Sequence, residues 1–246
     1  MEIIGRGFLA QSHLPLAAKH PDVILVAAGP SSTQSCEPAE FEREFELMDG
    51  VLARAKRDDR QVVFFSTASH AMYGHTDAPA TESGPSTPAS VFGVHKKKLE
   101  DTVAASGVRW LGIRLSHAVG GNQRAHQLFP YLVRAVRSGS VRVFRDSHRD
   151  LLDIDDVVAA VDALLAAHCT DEVVNVASGS PYPVERLAAA IEAELGVRAH
   201  RETVDTKPMK TLVSNEKLRR LAPDLSWVRA DEDYLRRLVA KYVSHY

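Results

Sequence analysis

The chain is poor in several things, and each scarcity closes off a class of protein. Cysteine occurs only at Cys36 and Cys169. The two stand far apart without metal-ligand spacing, so no disulfide framework organises the fold, no metal site is indicated, and a reduced pair is expected. No apolar run approaches the ~20 residues of a membrane span. Neither charge sign dominates: 30 Lys and Arg against 32 Asp and Glu leave a net charge of -2. That balance provides no electrostatic footing for nucleic acid or an anionic membrane. Internal repeats and low-complexity tracts are missing too. The opening MEIIGRG already reads as strand and turn, so no leader peptide is expected ahead of it and a cytoplasmic location is.

What is present is ordinary globular composition, with 45% hydrophobic and 25% charged residues in 246. That length suits one α/β core plus a small subdomain. The most informative stretch is 61–100. Gln61 to Thr67 is a β-branched and aromatic run between a charged patch and a turn-rich segment, and it predicts a buried strand. Ala68 to Ser90 collects Gly, Pro, Ser and Thr, which predicts a long surface loop of the kind that often carries function. Val91 to Ala105 returns to helical spacing, with Phe92, Lys96 and Leu99 on one face.

At the N-terminus, Glu2 to Ile4 is a short apolar strand leading into Gly5-Arg6-Gly7-Phe8-Leu9-Ala10. Strand, glycine turn and helix form the setting in which G-x-G-x-x-G/A gains meaning. Gly5 permits the turn, Gly7 admits a pyrophosphate close to the backbone, and Ala10 allows tight helix packing. Pro15 shortens or kinks the first helix. Pro21 to Gly29 predicts the next strand, Ser31 to Ser35 a polar loop, and Glu40 to Arg57 an amphipathic helix using Phe41, Phe45, Met48 and Leu52. Later strands are expected at Val108 to Ser116, Val141 to Phe144, His148 to Ile154 and Glu172 to Gly179. Helices are expected at His126 to Ser138, Val184 to Gly196 and Asp231 to Val243. Asp155 or Asp156 suits a helix N-cap.

These motifs resemble the extended short-chain dehydrogenase/reductases, a family of nucleotide-sugar epimerases, dehydratases and ketoreductases. The resemblance runs along the whole chain. The family's Ser/Thr strand end and Val-Tyr-Gly are similar to Ser66, Thr67, Ser69 and Met72-Tyr73-Gly74. Its Tyr-x-x-x-Lys helix with a following Glu is similar to Phe92-Gly93-Val94-His95-Lys96 and Glu100, with phenylalanine in the tyrosine's place. RDLLDIDDVVAA, holding Arg149, Asp150, Asp155 and Asp156, resembles the family's RDFIHVDDVARA. Arg114-Leu115-Ser116-His117 resembles its R-P-x-N turn, which closes over the nicotinamide. One departure is large: the Pro21 to Gly29 strand is the family's fourth, yet only one helix separates it here from the first.

The resemblance implies a Rossmann-like doubly wound parallel sheet, shortened by about two strands, with a small C-terminal α/β substrate subdomain. Residues 1–120, with 148–178 returning, would form the dinucleotide-binding core; 121–147 and 179–246 would form the substrate-binding part. Cofactor contacts would come from Gly5, Arg6, Gly7, Phe8, Leu9, Ala28, Gly29, Thr67, Lys96 and Leu115, with NADP preferred through Arg6 and NAD as the other candidate. No ribose reader stands ~20 residues past the glycines, where Val26 and Ala27 lie inside a strand. Ser69, Phe92, His117 and Arg149 would face a small-molecule ketone.

Phe92 has no proton to give. A replacement acid is sought in His70, His117 or His95, or in an acidic hydroxyl of the substrate, with Ser69 or Thr67 bonding the carbonyl and Lys96 holding a ribose. His70 and Ala71 stand where the dehydratases need Asp-Glu, which argues against dehydration, and epimerisation demands acid–base work in both directions. The expected activity is therefore NADPH-dependent reduction of a ketone on a nucleotide-linked deoxysugar or a polyketide. A non-catalytic NAD(P)-binding or ligand-sensing protein is the alternative. The helices at 36–57 and 90–106 resemble a dimer-forming pair, which leaves homodimer and monomer both open.

Overall fold

A strand that is buried at every position needs cover on both faces, and Gln61–Thr67, buried at every residue, is at the centre of such a sheet. The computed structural model describes residues 1–30, 37–225 and 229–246. The loop expected at Ser31 to Ser35, and Cys36, lie outside the described residues.

The elements in chain order are β1 (Glu2–Ile4), α1 (Phe8–Ser12), β2 (Val23–Val26), α2 (Pro38–Arg57), β3 (Gln61–Thr67), α3 (His70–Tyr73), α4 (Val91–Ala104), β4 (Trp110–Leu115), β5 (His117–Val119) and α5 (Leu128–Arg137). They continue with β6 (Ser140–Phe144), β7 (His148–Arg149), β8 (Leu151–Asp153), α6 (Ile154–Ala166), β9 (Glu172–Val176), β10 (Tyr182–Pro183), α7 (Val184–Leu195), β11 (His200–Val204), α8 (Glu216–Leu221) and α9 (Glu232–Tyr242). Five strands form one parallel sheet in the order β1-β2-β3-β4-β9. The expected α/β class and parallel sheet are therefore present.

Alternation along the strands sorts the cover. Ile24, Val26, Val62 and Phe64 pack against Met48, Val51, Leu52 and Ala55 of α2 and Leu99 and Val103 of α4. Leu25, Val63, Phe65, Leu111 and Ile113 face the other way, towards α6 and the larger cluster that also takes in Phe8 and Leu9 of α1. The steps β1 to β2, β2 to β3 and β3 to β4 all run the same way across the sheet. Because α1 lies on one face and α2 and α4 on the other, the β1-α1-β2 crossover has the opposite hand to its two successors. Parallel crossovers are right-handed in about 98% of cases, so one of these connections breaks a strong rule.

The short first connection accounts for it. α1 has five residues and is followed by a single 3₁₀ turn, Leu14–Leu16, with Pro15 in its first turn. That leaves β1 as a sheet edge, clamped at Glu2 by Arg54 and Arg60, each at 2.7 Å. It also sends the helices after β1 and β2 to opposite faces, the arrangement at which open α/β sheets take their ligands.

Three local expectations are corrected. The loop after β3 is not wholly irregular: His70–Tyr73 is helical, and Ala80 bridges to Val213. The run from His148 to Ile154 breaks at Asp150, whose carboxylate turns to the backbone N–H groups of Ser178 and Gly179 at 2.9 and 2.8 Å. The N-cap of α6 is Asp153, accepting from the Asp155 N–H at 3.0 Å, and not Asp155 or Asp156. Arg114 sits inside β4, within the strand expected at Val108 to Ser116. β11 and α8 escaped sequence reading because neither carries a long apolar period.

Candidate active site

The glycine turn closes β1 onto β2. Gly5 has φ +136°, and a Cβ there would stand 2.3 Å from the Ala27 carbonyl oxygen. Only glycine fits. Gly7 differs: its φ of -85° suits any residue, and a Cβ would meet nothing within 4 Å. The protein itself does not require glycine there, so the open space suits a ligand approaching the backbone. Arg6 is exposed, with its carbonyl accepting from Gln11 Nε2 at 3.1 Å. Phe8 lies against Gly120, where a Cβ would be 2.5 Å from its ring, and Leu9 joins the core of that face.

Beyond β2, Ala28 and Gly29 are exposed. Gly29 is roofed by Glu44 of α2, whose Oε1 would lie 2.2 Å from an added Cβ. The same carboxylate receives Lys96 Nζ on Oε1 and meets His95 Nε2 at Oε2, both at 2.6 Å. All three side chains are buried. Burial pushes the Glu44 carboxyl up, but Lys96 and His95 outweigh it and hold it below the usual carboxylate range. His95 is stacked on Phe41 at 4.3 Å and edge-on to Phe45 at 4.9 Å. It thus faces α2. Lys96 Nζ also lies 5.7 Å from the centre of the Phe92 ring.

α4 approaches α3 closely at Gly93, where a Cβ would be 1.8 Å from the Ala71 carbonyl oxygen. That contact holds the start of α4 against α3, just beyond the end of β3. There Thr67 Oγ1 and Ser69 Oγ share a hydrogen bond of 2.8 Å, and Ser69 caps α3 by accepting from the Ala71 N–H. The two strand ends are joined by the Ala68 N–H donating to the Leu115 carbonyl at 2.9 Å, with Leu115 buried in the core.

Beneath this surface runs a buried polar chain. Glu100 accepts from Ser66 Oγ at 2.5 Å and takes Arg114 through two bonds of 2.9 and 2.7 Å. Arg114 Nη1 donates to the Tyr73 hydroxyl at 2.8 Å, which donates to Asn175 Oδ1 at 2.7 Å. Burial lowers the Arg114 pKa, and its bonds to Glu100 and Tyr73 more than reverse that. Glu100 and Arg114 are thus a structural pair that locks α4 to the sheet. Glu44 and Asn175 were missed as site supports, since nothing in their local spacing marks them, and Tyr73 was legible only within Met72-Tyr73-Gly74.

On the other side stand His70, His117 and Arg149. His70 Nδ1 and His117 Nδ1 are buried without hydrogen-bond partners among the described residues. Burial, reinforced by the Arg149 charge, pushes His117 down to about 3. Burial, with the charges of Arg149 and His75, also lowers His70. Arg149 donates to Ser147 Oγ and the His148 carbonyl, both at 2.8 Å. Among the described residues no cluster of three or more His, Cys, Asp or Glu could hold a metal ion, and no helix is long and apolar enough to cross a membrane.

The NAD dependent epimerase/dehydratase family model matches residues 11–177, most of the chain. The chain belongs to that family. A curated family relative, the "Putative UDP-glucose 4-epimerase" of Methanocaldococcus jannaschii, is 25% identical over 169 residues, covering 64% of this chain and 54% of that protein. The chain thus spans about half the length of that relative. Among solved structures, RMD from Pseudomonas aeruginosa complexed with NADPH is similar at a TM-score of 0.82 and 17% identity, across 100% of this chain and 99% of that one. MoeE5 in complex with UDP-glucose and NAD gives 0.83 and 17%, across 100% and 98%. The dTDP-glucose 4,6-dehydratase of Bacillus anthracis, in complex with NAD, gives 0.78 and 18%, across 98% and 78%. At these identities the likeness is one of fold.

Proposed function

We propose that the chain is an NADPH-dependent ketoreductase, with NADH as the lesser partner, acting on a nucleotide-linked deoxysugar or a polyketide ketone. The observation that supports this reading is Gly7, an N-cap glycine that the protein's own packing does not need, in the turn beyond the carboxyl end of β1. Residues 1–120 and 148–178 would hold the dinucleotide, and 121–147 with 179–246 the substrate. When bound, the cofactor supplies the hydride.

The chain's own residues do the rest. Gly5 and Gly7 give the backbone room, and Lys96, already oriented by Glu44, offers an ammonium to a ribose hydroxyl. Thr67 and Ser69 have hydroxyls near the end of β3 to bond a carbonyl oxygen, and Phe92 keeps water away. With a phenyl ring in the position that resembles the family's tyrosine, the proton comes from His70, His117 or the substrate. The absent ribose reader and the edge position of β1 leave the adenosine half with few partners, so discrimination between NADPH and NADH should be modest.

One feature favours the second reading, a non-catalytic ligand binder. Lys96 is already paired with Glu44 and buried, so the protein needs no cofactor to satisfy it. Titrating the chain with NADPH and NADH while following nicotinamide fluorescence separates the two. Saturable binding weakened by Lys96→Met supports the reductase. No binding of either at millimolar concentration ends it.

A further inference from the structure

The loop after β5 is gripped from two sides. On one side is Phe8, the first residue of α1 and the neighbour of Gly7: a Cβ on Gly120 would stand 2.5 Å from its ring, and 2.9 Å from Ile154 at the start of α6. On the other is the C-terminal 3₁₀ turn Val243–His245, where the His245 ring would lie 2.8 Å from a Cβ on Gly121. Two adjacent glycines thus let the loop fit between segments from opposite ends of the chain. Tyr246 fastens it there. Its hydroxyl donates to the Gly120 carbonyl and accepts from the Gln123 backbone N–H at 2.8 Å. The Gln123 side chain in turn laces the loop to β5, donating to the Ala118 carbonyl at 3.0 Å and accepting from the Gly120 N–H at 3.3 Å. Burial pushes the Tyr246 hydroxyl up, so its proton is present to donate near neutrality. The Tyr246 ring lies edge-on to Phe129 of α5, centres 6.2 Å apart, and Arg137 of α5 donates to the Val243 carbonyl at 3.4 Å. Tyr242 donates to Asp153, the N-cap of α6, at 2.6 Å, so the same segment also holds Ile154.

The glycine turn needs such outside support. α1 has five residues, too few to hold itself as a helix, and its N-cap makes no side-chain hydrogen bond. Its first bond runs from the Gln11 N–H to the Gly7 carbonyl at 3.0 Å. A Cβ on Gly7 would meet nothing within 4 Å, so no contact at that residue fixes the turn. The next residue, Phe8, must do so through what it packs on. We propose that Tyr246 is a positioning residue for the glycine turn, acting through loop 120–123 on Phe8 and thereby setting how the Gly7 backbone meets a ligand. The hydroxyl matters beyond the ring because one oxygen both gives and takes a hydrogen bond, which closes residues 120–123 on themselves and presents Gly120 to Phe8 at a fixed height. The inference rests on the proposed function only for calling that ligand a dinucleotide. It makes the C-terminal segment, otherwise allotted to substrate, a support of the turn at the other end of the chain.

The test has two arms on the whole chain: amide hydrogen exchange at Gln11 without ligand, and titration with NADPH followed by nicotinamide fluorescence. Tyr246→Phe keeps the ring and removes the hydroxyl. Exchange at Gln11 should quicken about 10- to 100-fold, as for the loss of a buried hydrogen bond. NADPH affinity should fall about 3- to 10-fold, the cost of ordering the turn on binding. Gln123→Ala, which frees the same loop from β5, should move both readings in the same direction. Val103→Ala makes a cavity on the opposite face of the sheet and controls for general loss of stability. If Gln11 in Tyr246→Phe exchanges as in the parent, or no faster than in Val103→Ala at equal global stability, the hydroxyl does not position the turn. A parent that binds NADPH, with Tyr246→Phe binding it equally well, also overturns the inference. No NADPH binding by the parent, with Gln11 still quickened in Tyr246→Phe, ends the reductase and leaves the link from Tyr246 to the turn in place.

Discussion

Glu44 Oε1 lies 2.6 Å from Lys96 Nζ, across the junction of α2 and α4, with both side chains buried. The lysine therefore has a partner before any ligand arrives.

Removing one side of this pair should be severe. Glu44→Ala would leave a buried ammonium uncompensated, which typically costs about 3–5 kcal/mol. Urea unfolding measures it. A variant as stable as its parent would show that Lys96 finds another acceptor.

The pair also sets a pH dependence. The Glu44 carboxyl is depressed below its ordinary 4.5 in the folded state, so its stabilisation is fully present above that value. It is lost as pH falls through the depressed folded value. The gap in stability between the parent and Glu44→Gln should be widest near neutrality and shrink below about pH 4.5. A gap that grew on acidification would have the wrong sign.

The two glycines of the first turn should separate folding from binding. Gly5→Ala forces a positive φ and a backbone clash, so unfolding should occur about 1–3 kcal/mol sooner. Gly7→Ala should leave the melting temperature unchanged and weaken NADPH binding. Equal effects on stability would contradict the geometry.

Tyr73→Phe removes the hydroxyl between Arg114 and Asn175 and leaves both short of a partner in a buried site. A loss of about 1–3 kcal/mol is expected, read by chemical denaturation. No loss would mean that water fills the gap.

Phe92→Tyr restores a phenol beside Lys96. If ketone reduction is limited by proton delivery, single-turnover oxidation of NADPH should accelerate, by up to the ~10²–10⁴ that a positioned acid contributes. An unchanged rate would point to His70, His117 or the substrate as a sufficient donor.

Much of the local structure was readable in one dimension. The bounds of β3 and the start of α4 follow from period and composition: a continuous apolar run before a turn-rich loop, then a 3.6-residue repeat after Ser90, which caps the helix by accepting from the Gly93 N–H at 3.1 Å. Pro15 gave away the truncated first helix. His95 was placed among candidate acids because helical spacing puts it one turn from Phe92. Spacing could not say that Phe41 and Phe45 would enclose it on the α2 side.

By itself the amino-acid order determined the α/β alternation, the glycine turn after β1 and the positions of Phe92 and Lys96 on one helix, because strand and helix periods are written between near neighbours. Tertiary structure alone decided that Glu44 meets Lys96, 52 positions away, that β1 is an edge left by a crossover of opposite hand, and that the Asp150 carboxylate turns to the backbone of Ser178 and Gly179. Those relations depend on which faces pack together. Burial of apolar area selects that packing without regard to distance along the chain.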